Sequence, residues 1–581
     1  MIIITGIDVV DNLKWWQKAV FYQIYPRSFA DGNGDGIGDL RGMLEKLDYL
    51  AELGVEGVWL SPHYPSPQAD CGYDVADYCD VAPEYGTLDD FRLFLEAAHK
   101  RGIRVILDMV FNHTSDQHRW FLESKSSRDN PKRDWYIWRD GKIGPDGEKL
   151  PPNNWESSFT GPAWEYDPTT DQWYYHFFLK EQPDLNWRNP EVKAAMWDAV
   201  RFWLDMGVDG FRLDAIGTIF EDPAMPDHEA GFTLLDLYQL GQAAQTAEER
   251  QAVSEKWELL FAHQVDRAEE MHSLMKELRR VVDEYPDRVL VAEDSDLAYH
   301  GNGDDELHLV FNFPLMRIEG LLTPAHIRNN QAERLAALPE GAWPCNTLGN
   351  HDSPRVKSRY GDGEHDDELA RLALALMLTL RGTPFLYNGE EIGMTDAVFT
   401  EIAQLRDTLA LRQYELAVRM GLPEAEAAAI AFQHTRDRCR TPLQWADAPN
   451  AGFSPEGVTT WLPVNPNYAA GINVAGQQND PASMLAFYKQ LLALRKRTPA
   501  LIAGDYTPLL EEHPDCFCFL RAVEGQTCLV ALNFSVHAHT LTFEQLWAPR
   551  LLFSSAGRRE VGDLRALELA PFEIYLAAVE R

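Results

Sequence analysis

Four acidic residues fall where short apolar runs end: Asp108 after RVIL, Asp214 after GFRL, Glu293 after RVLVA and Asp352 after CNTLGNH. A carboxylate closing a buried run is costly to desolvate unless it is partnered or used. Arg212, His113 and His351 stand beside them in the same segments, so a converging set would form a site rather than scattered ion pairs. These residue types suit cleavage of a glycosidic bond. Two carboxyl groups about 5–5.5 Å apart permit a covalent glycosyl-enzyme intermediate and retention of configuration. One must be ionised to attack; the other must keep its proton near neutral pH to release the leaving oxygen. Arg212, two residues before Asp214 and so on the same strand face, is expected to hold Asp214 ionised. Glu293, preceded by Val, Leu and Ala, is expected to stay neutral by desolvation. Asp294 points to the opposite side and reads as structural.

The elements that must position these groups follow a β/α beat. Runs at 19–26, 55–62, 104–113, 210–215, 288–294, 307–313, 345–352 and 383–391 read as strands. Between the first two, Leu40, Met43, Leu44, Leu47, Leu50 and Leu53 recur at helical spacing, with Gly54 placed as a C-cap. Thr87 and Asp90 form a capping box for the helix that Gly102 closes. Near-continuous apolar strands alternating with helices predict a parallel sheet covered on both faces. Eight such units predict an α/β chain folded as a (β/α)₈ TIM barrel, with its site at the strand C-terminal ends. The barrel is assigned to residues 1–113 and 188–500, with helical insertions at about 217–270 and 396–431. Residues 114–187, rich in Trp, Asn, Pro and Gly, form an irregular subdomain after strand three. Residues 501–581, with short alternating strands, form a C-terminal antiparallel β-sandwich.

Composition narrows the partner. With 90 acidic against 53 basic residues and a net charge of -37 in 581 residues, the chain repels nucleic acid and anionic membrane. A small neutral ligand is compatible with that field. The seven cysteines lack the dense spacing of a disulfide scaffold. Cys71 with Cys79, and Cys516 with Cys518, lack a matching zinc-spaced partner set and read as ordinary buried thiols. The apolar start is too short for a signal peptide, and no run reaches the ~18 residues of a membrane span. A cytoplasmic enzyme is the expectation.

At the carboxylate segments the chain resembles the α-amylase family of glycoside hydrolases. DMVFNH (108–113), GFRLDA (210–215), VAED (291–294) and GNHDSPR (349–355) look like its signature segments in family order, and YQIYPRSF (22–29) extends the likeness. The resemblance implies that Asp214 is the nucleophile, Glu293 the acid/base and Asp352 a third carboxylate holding the distorted sugar. His113 and His351 would bond the same glucose, and Arg212 would orient the nucleophile. QPDLNW (182–187) resembles the marker of the oligo-1,6-glucosidase and α-glucosidase branch. In that branch Asp74 of GYDV and Arg436 of TRDRCRTPLQW would close off the nonreducing end, with Arg440 the alternative to Arg436. Phe159 and Phe178 are candidates for stacking on sugar. Ala215, in place of a bulkier Val, goes with α-1,4 over α-1,6 linkages in this branch, a bias of ~1–3 kcal/mol. The implied activity is exo-acting release of α-glucose from short α-glucosides.

Departures fall on the pocket rim: Ala292 stands where Gly is usual, Asp294, Ser295 and Asp296 are unusual, and both helical insertions are long. A transglucosylase or sugar isomerase on the same scaffold shares the covalent intermediate and differs in its acceptor. A catalytically inactive interaction protein would lose the acids, and all three are present.

DGNGDGIGD places oxygen donors at Asp31, Asn33, Asp35, the Ile37 carbonyl and Asp39, like the first part of an EF-hand loop but with Gly42 where the bidentate Glu belongs. A structural Ca²⁺ (or Mg²⁺) is expected there, outside the chemistry, and no organic cofactor. The same loop's acidity argues against phosphate binding. Asn112-His113-Thr114 fits a glycosylation pattern but lies in a catalytic segment, and is set aside.

Overall fold

The computed structural model describes residues 6–244, 246–265, 267–316, 320–544 and 547–580. Residues 1–5, most of the apolar start, lie outside them. The eight expected strands form, shorter than the runs that announce them: β1 (Phe21–Ile24), β2 (Gly57–Leu60), β3 (Arg104–Val110), β4 (Gly210–Asp214), β5 (Val289–Ala292), β6 (Leu309–Val310), β7 (Cys345–Thr347) and β8 (Thr383–Tyr387). All pair in parallel, in the order β6-β5-β4-β3-β2-β1-β8-β7. The placement of β8 beside β1 brings the two ends of the barrel chain together. At the seam between β6 and β7, Asn312 donates to Asn346 at 3.1 Å and exchanges bonds with Asn330, so side-chain amides stand in for ladder bonds.

Strand alternation sorts the core. Tyr22, Val58, Leu107, Leu213 and Leu290 pack outward beneath the helices. Phe21, Trp59, Ile106, Val289, Val291, Leu309, Phe311 and Phe385 fill the barrel interior. The inward positions become polar only toward the strand C-termini, where Asp108, Arg212 and Asp214 follow on the same faces. Gly210 (φ 151°) is required at the start of β4, because a Cβ there would meet the Val289 carbonyl oxygen at 2.0 Å.

The helix read from 40 to 53 is two, Leu40–Glu45 and Leu47–Leu53, ended by Gly54 at φ 99°. Thr87 and Asp90 form the expected capping box. The subdomain between β3 and β4 holds a three-stranded antiparallel sheet, with Gln172–Tyr175 between Trp138–Arg139 and Trp164–Asp167. The insertion after β4 contains α1 (Leu234–Ala243) and α2 (Ala247–Phe261); that after β8 contains α3 (Thr408–Arg419) and α4 (Glu424–His434). A five-stranded antiparallel sheet and a two-stranded one enclose a separate core after residue 504, with Cys516 and Cys518 inside it. All seven cysteines are unpaired, and among the described residues no helix is long and apolar enough to cross a membrane.

Candidate active site

The strand C-termini converge on one guanidinium. Arg212 Nη1 donates to Asp108 at 2.7 Å and to Asp214 at 2.6 Å, while Nη2 lies 2.6 Å from Glu293. It rests on the Trp59 ring, 5.0 Å from its centroid, so the aromatic floor of the barrel carries the charge. Exposure separates the four acids. Asp108 is 0% exposed at its side chain, against 11% for Asp214, 21% for Glu293 and 31% for Asp352. Asp108 is a buried counterion, held also by Trp59 and Tyr73; the other three face the pocket.

Arg212 does not discriminate between Asp214 and Glu293 as the sequence suggested. Val291 pairs with Arg212 and Ala292 with Leu213, so β4–β5 register sets Glu293 opposite Asp214, and both reach the same cation. Three carboxylates around one guanidinium leave an excess of negative charge in a desolvated place. Burial and the Glu293 charge push Asp214 up despite Arg212, and burial, against the same guanidinium, pushes Asp108 up to about 6. Such a proton belongs to the coupled group rather than to one oxygen. The cluster therefore binds a proton more tightly than an isolated carboxyl does. Glu293 also accepts the Ala215 N–H at 2.8 Å, and Ala215 itself is left-handed at φ 43°.

The middle of the pocket is neutral. His351 takes Gln23 on Nδ1 (2.7 Å) and the Tyr73 hydroxyl on Nε2 (2.6 Å), between the stacked rings of Tyr73 and Tyr25. Burial lowers it to about 3, and lowers His113 to about 4. Gln182 of QPDLNW bridges His113 (2.9 Å) and Asp70 (3.2 Å). Asp352 meets Arg440 at 2.5 Å, Arg436 at 3.4 Å and His351 at 3.2 Å. Burial alone would raise Asp352, but His351 and the two guanidiniums hold it well below the usual carboxylate range. At neutral pH His351 is uncharged, so Arg440 and Arg436 carry that effect.

The closed end corrects the expected Asp74–Arg436 pair. Asp74 is fully buried, accepts the Ala69 and Asp70 N–H groups at 2.9 Å, and is pushed up to about 6 by burial against those bonds. It shapes the turn. Asp70, four residues earlier, accepts from Arg436 at 2.9 Å. Asp407 completes the clamp at 2.7 Å from the same nitrogen. Arg440 lies alongside and takes Asp352, so the two arginines divide the work offered to either. Phe159 sits 5.6 Å beneath the Arg436 guanidinium and 5.6 Å from the Phe178 ring, which in turn packs edge-on to His113 at 5.3 Å. Asp70, Tyr73 and Asp407 are not among the residues that the sequence singles out. The first two were within reach, since they flank Gly72 (φ 104°) in the segment that drew attention to Asp74.

In the acidic loop before the first long helix pair, the expected metal donors are engaged with their own backbone. Asp31 accepts from Gly34 (2.6 Å), Gly36 (2.8 Å) and Ser454 (2.6 Å); Asp39 accepts from Gly42 (2.7 Å) and Asn33 (2.9 Å). Asn33 accepts from Asp35, and Asp35 from Ile37. Among the described residues no three His, Cys, Asp or Glu gather as a metal centre. The set is all oxygen, which in kind fits a hard cation.

A parallel barrel thus gathers partly buried carboxylates around a buried guanidinium at its strand C-termini, with a second Arg–Asp cluster beside them. Residues 23–504 match the alpha amylase catalytic domain model. The chain is 40% identical over 579 residues to the oligo-1,6-glucosidase of Parageobacillus thermoglucosidasius, covering 96% of this chain and 98% of that one. It is 39% identical over 537 residues to the trehalose-6-phosphate hydrolase of Escherichia coli K12 (90% and 91% covered). The crystal structure of the trehalulose synthase of Pseudomonas mesoacidophila MX-45 superposes with a TM-score of 0.86 at 36% identity, over 98% of this chain and all of that one. The chain belongs to the α-amylase family and is a glycoside hydrolase.

Proposed function

We propose that the chain is an exo-acting, retaining α-glucosidase that releases α-glucose from the nonreducing end of short α-glucosides, with maltose-like α-1,4 linkages preferred. The observation that carries this reading is the pair of charge clusters: Arg436, clamped by Asp70 and Asp407, would stop the sugar at one end, and Asp214 and Glu293, sharing Arg212, would flank the other. Asp214 attacks the anomeric carbon as Glu293 gives its proton to the departing oxygen; the C–O bond to the leaving group breaks as the glucosyl–Asp214 ester forms. Glu293, now a carboxylate, takes a proton from water, whose oxygen attacks from the face the leaving group vacated as the bond to Asp214 breaks and its carboxylate is restored. Asp352, fixed in its ionised state by the two arginines, accepts the sugar hydroxyls, and neutral His113 and His351 bond the same ring.

The small Ala215 beside the nucleophile supports the linkage preference. The likeness to a trehalulose synthase keeps glucosyl transfer to a sugar hydroxyl as the second reading, since it would use the same intermediate. A structural Ca²⁺ or Mg²⁺ at Asp31, Asn33, Asp35, Ile37 and Asp39 belongs to the proposal on donor chemistry alone, and takes no part in the steps. A cytoplasmic setting is supported by seven unpaired thiols, six of them buried. The test is a time course on maltose and on isomaltose followed by proton NMR. Faster maltose cleavage with α-glucose appearing first is expected. Faster isomaltose cleavage overturns the linkage preference, β-glucose first overturns retention, and new disaccharides in place of glucose favour transfer.

A further inference from the structure

The barrel interior turns polar on β1 at Gln23, two residues beyond Phe21 and so on the same strand face. Its side chain is buried, and its amide nitrogen lies 2.7 Å from His351 Nδ1 and 3.0 Å from the Ser61 hydroxyl. Across the same imidazole, Nε2 lies 2.6 Å from the Tyr73 hydroxyl and 3.2 Å from Asp352 Oδ2. The Tyr73 hydroxyl donates to Asp108 Oδ2 at 3.1 Å. A chain of polar contacts therefore runs from β1 through His351 and Tyr73 to the Arg212 cluster, with Asp352 as a side branch. The His351 ring is sandwiched, stacked on Tyr73 at 5.3 Å and on Tyr25 at 5.6 Å.

The direction of the chain follows from its ends. A neutral imidazole carries a single N–H, and burial keeps His351 neutral. With the proton on Nδ1, the bare Nε2 lone pair would face the Asp352 carboxylate. Tyr73 would then give its one O–H to Nε2, and Asp108 would lose it. The Gln23 amide would also have to turn its oxygen towards His351 and its NH₂ to the side where the amide oxygen now has no partner, orphaning buried donors in place of one carbonyl. A proton on Nε2 removes all three penalties. Gln23 then donates to Nδ1, His351 donates from Nε2 towards Tyr73 and Asp352, and Tyr73 donates to Asp108. We infer that Gln23 is a positioning residue: its N–H on Nδ1 holds His351 in the tautomer and orientation that present Nε2–H to Asp352 and to the bound sugar. The inference rests on the proposed function, which supplies the sugar. A sugar hydroxyl held between His351 and Asp352 meets a donor on one side and an acceptor on the other; the opposite tautomer offers two acceptors.

Nitrogen NMR on protein labelled at its histidine side chains reads the tautomer, with His351→Gln identifying the resonances. At neutral pH the native enzyme should show His351 with Nδ1 bare and Nε2 protonated; a proton on Nδ1 overturns the inference. Gln23→Met keeps the length of the side chain and removes the donor. A fraction of His351 protonated on Nδ1 should then appear, and kcat on maltose should fall by about 10- to 100-fold with KM changed less than about threefold, the pattern of a contact that counts in the transition state. Ser61→Ala loosens the same amide without removing its bond to Nδ1, and should cost less than about threefold in kcat. Unchanged shifts and kcat in Gln23→Met overturn the inference, as does a loss that Ser61→Ala matches at the same drop in Tm, which marks a packing role. Should Gln23→Met fail to fold, the tautomer of the native enzyme decides. If the native enzyme cleaves no α-glucoside, the proposed function falls, and the nitrogen shifts still report whether Gln23 holds the ring.

Discussion

At the Arg212 end of the pocket three carboxylates share one guanidinium; at the Arg436–Arg440 end Asp70, Asp407 and Asp352 share two. The side-chain types are the same and the count of cations differs. The under-neutralised end raises Asp108 and Asp214 and so holds a proton, whereas the better-neutralised end keeps Asp407 and Asp352 below the usual carboxylate range despite burial. Proton transfer needs the first condition, and gripping sugar hydroxyls with fixed acceptors needs the second. On the proposed mechanism, the ratio of acids to arginines at the two ends of the pocket would separate chemistry from recognition.

The contrast breaks most visibly at the acid-rich end. Asp214→Asn should lower kcat/KM on maltose by on the order of 10⁴-fold or more. Glu293→Gln should match it on maltose, but regain most of its rate on an aryl glucoside whose leaving group needs no proton; equal losses on both substrates would remove Glu293 from the acid role. At the arginine-rich end, Asp70→Asn removes a charged hydrogen bond to Arg436 and should cost about 10- to 100-fold in kcat/KM, chiefly in KM. Asp74→Asn should change kcat/KM by less than about threefold, since a bond of the turn rather than of the pocket is altered; a larger effect from Asp74 would return it to the pocket.

Titration sharpens the same comparison. Folding raises Asp74 from 3.8 to about 6, so the native state binds the extra proton and stability falls as pH rises through that window, by up to about 3 kcal/mol. Asp74→Asn should flatten the fall in Tm between about pH 4 and 6. Asp407 is shifted the other way, so its stabilisation is present above the unfolded pKa and lost on acidification below it; Asp407→Asn should reduce the acid-side loss. A smaller effect is expected from Ala215→Val, which should move the maltose-to-isomaltose ratio of kcat/KM towards isomaltose by about 10-fold. Smallest on activity is chelation. If the acidic loop holds a cation, dialysis against EDTA should lower Tm by a few degrees, about 2–4 °C per kcal/mol lost, with kcat unchanged at lower temperature. An unchanged Tm that added Ca²⁺ and Mg²⁺ also fail to raise removes the metal from the account.

The barrel was legible because its strands are short apolar runs with acids at their ends, a pattern set by burial on both faces. Strand alternation places Arg212 and Asp214 on one face, and the expected barrel mouth brings Asp108 and Glu293 to them. What alternation does not give is register between strands. That is why the sequence does not show that Glu293 shares Arg212, nor that burial and Glu293 outweigh Arg212 and shift Asp214 upward. Asp70 and Asp74 lie in one irregular turn whose backbone bonds decide which acid turns inward, and no periodicity marks that choice. Asp407 reaches Arg436 across an insertion whose path depends on tertiary packing.

The proposed mechanism requires Asp214 to form a covalent bond to glucose, with Glu293 as its acid partner. The direct measurement is incubation with 5-fluoro-α-glucosyl fluoride, whose second fluorine slows breakdown of the intermediate, followed by peptide mass spectrometry. A hexosyl adduct on the peptide carrying Asp214, formed in the native enzyme and absent in Asp214→Asn, is the predicted result. An adduct on Glu293 or Asp352, or steady turnover of the fluoride with no adduct while maltose is cleaved with inversion, would contradict it.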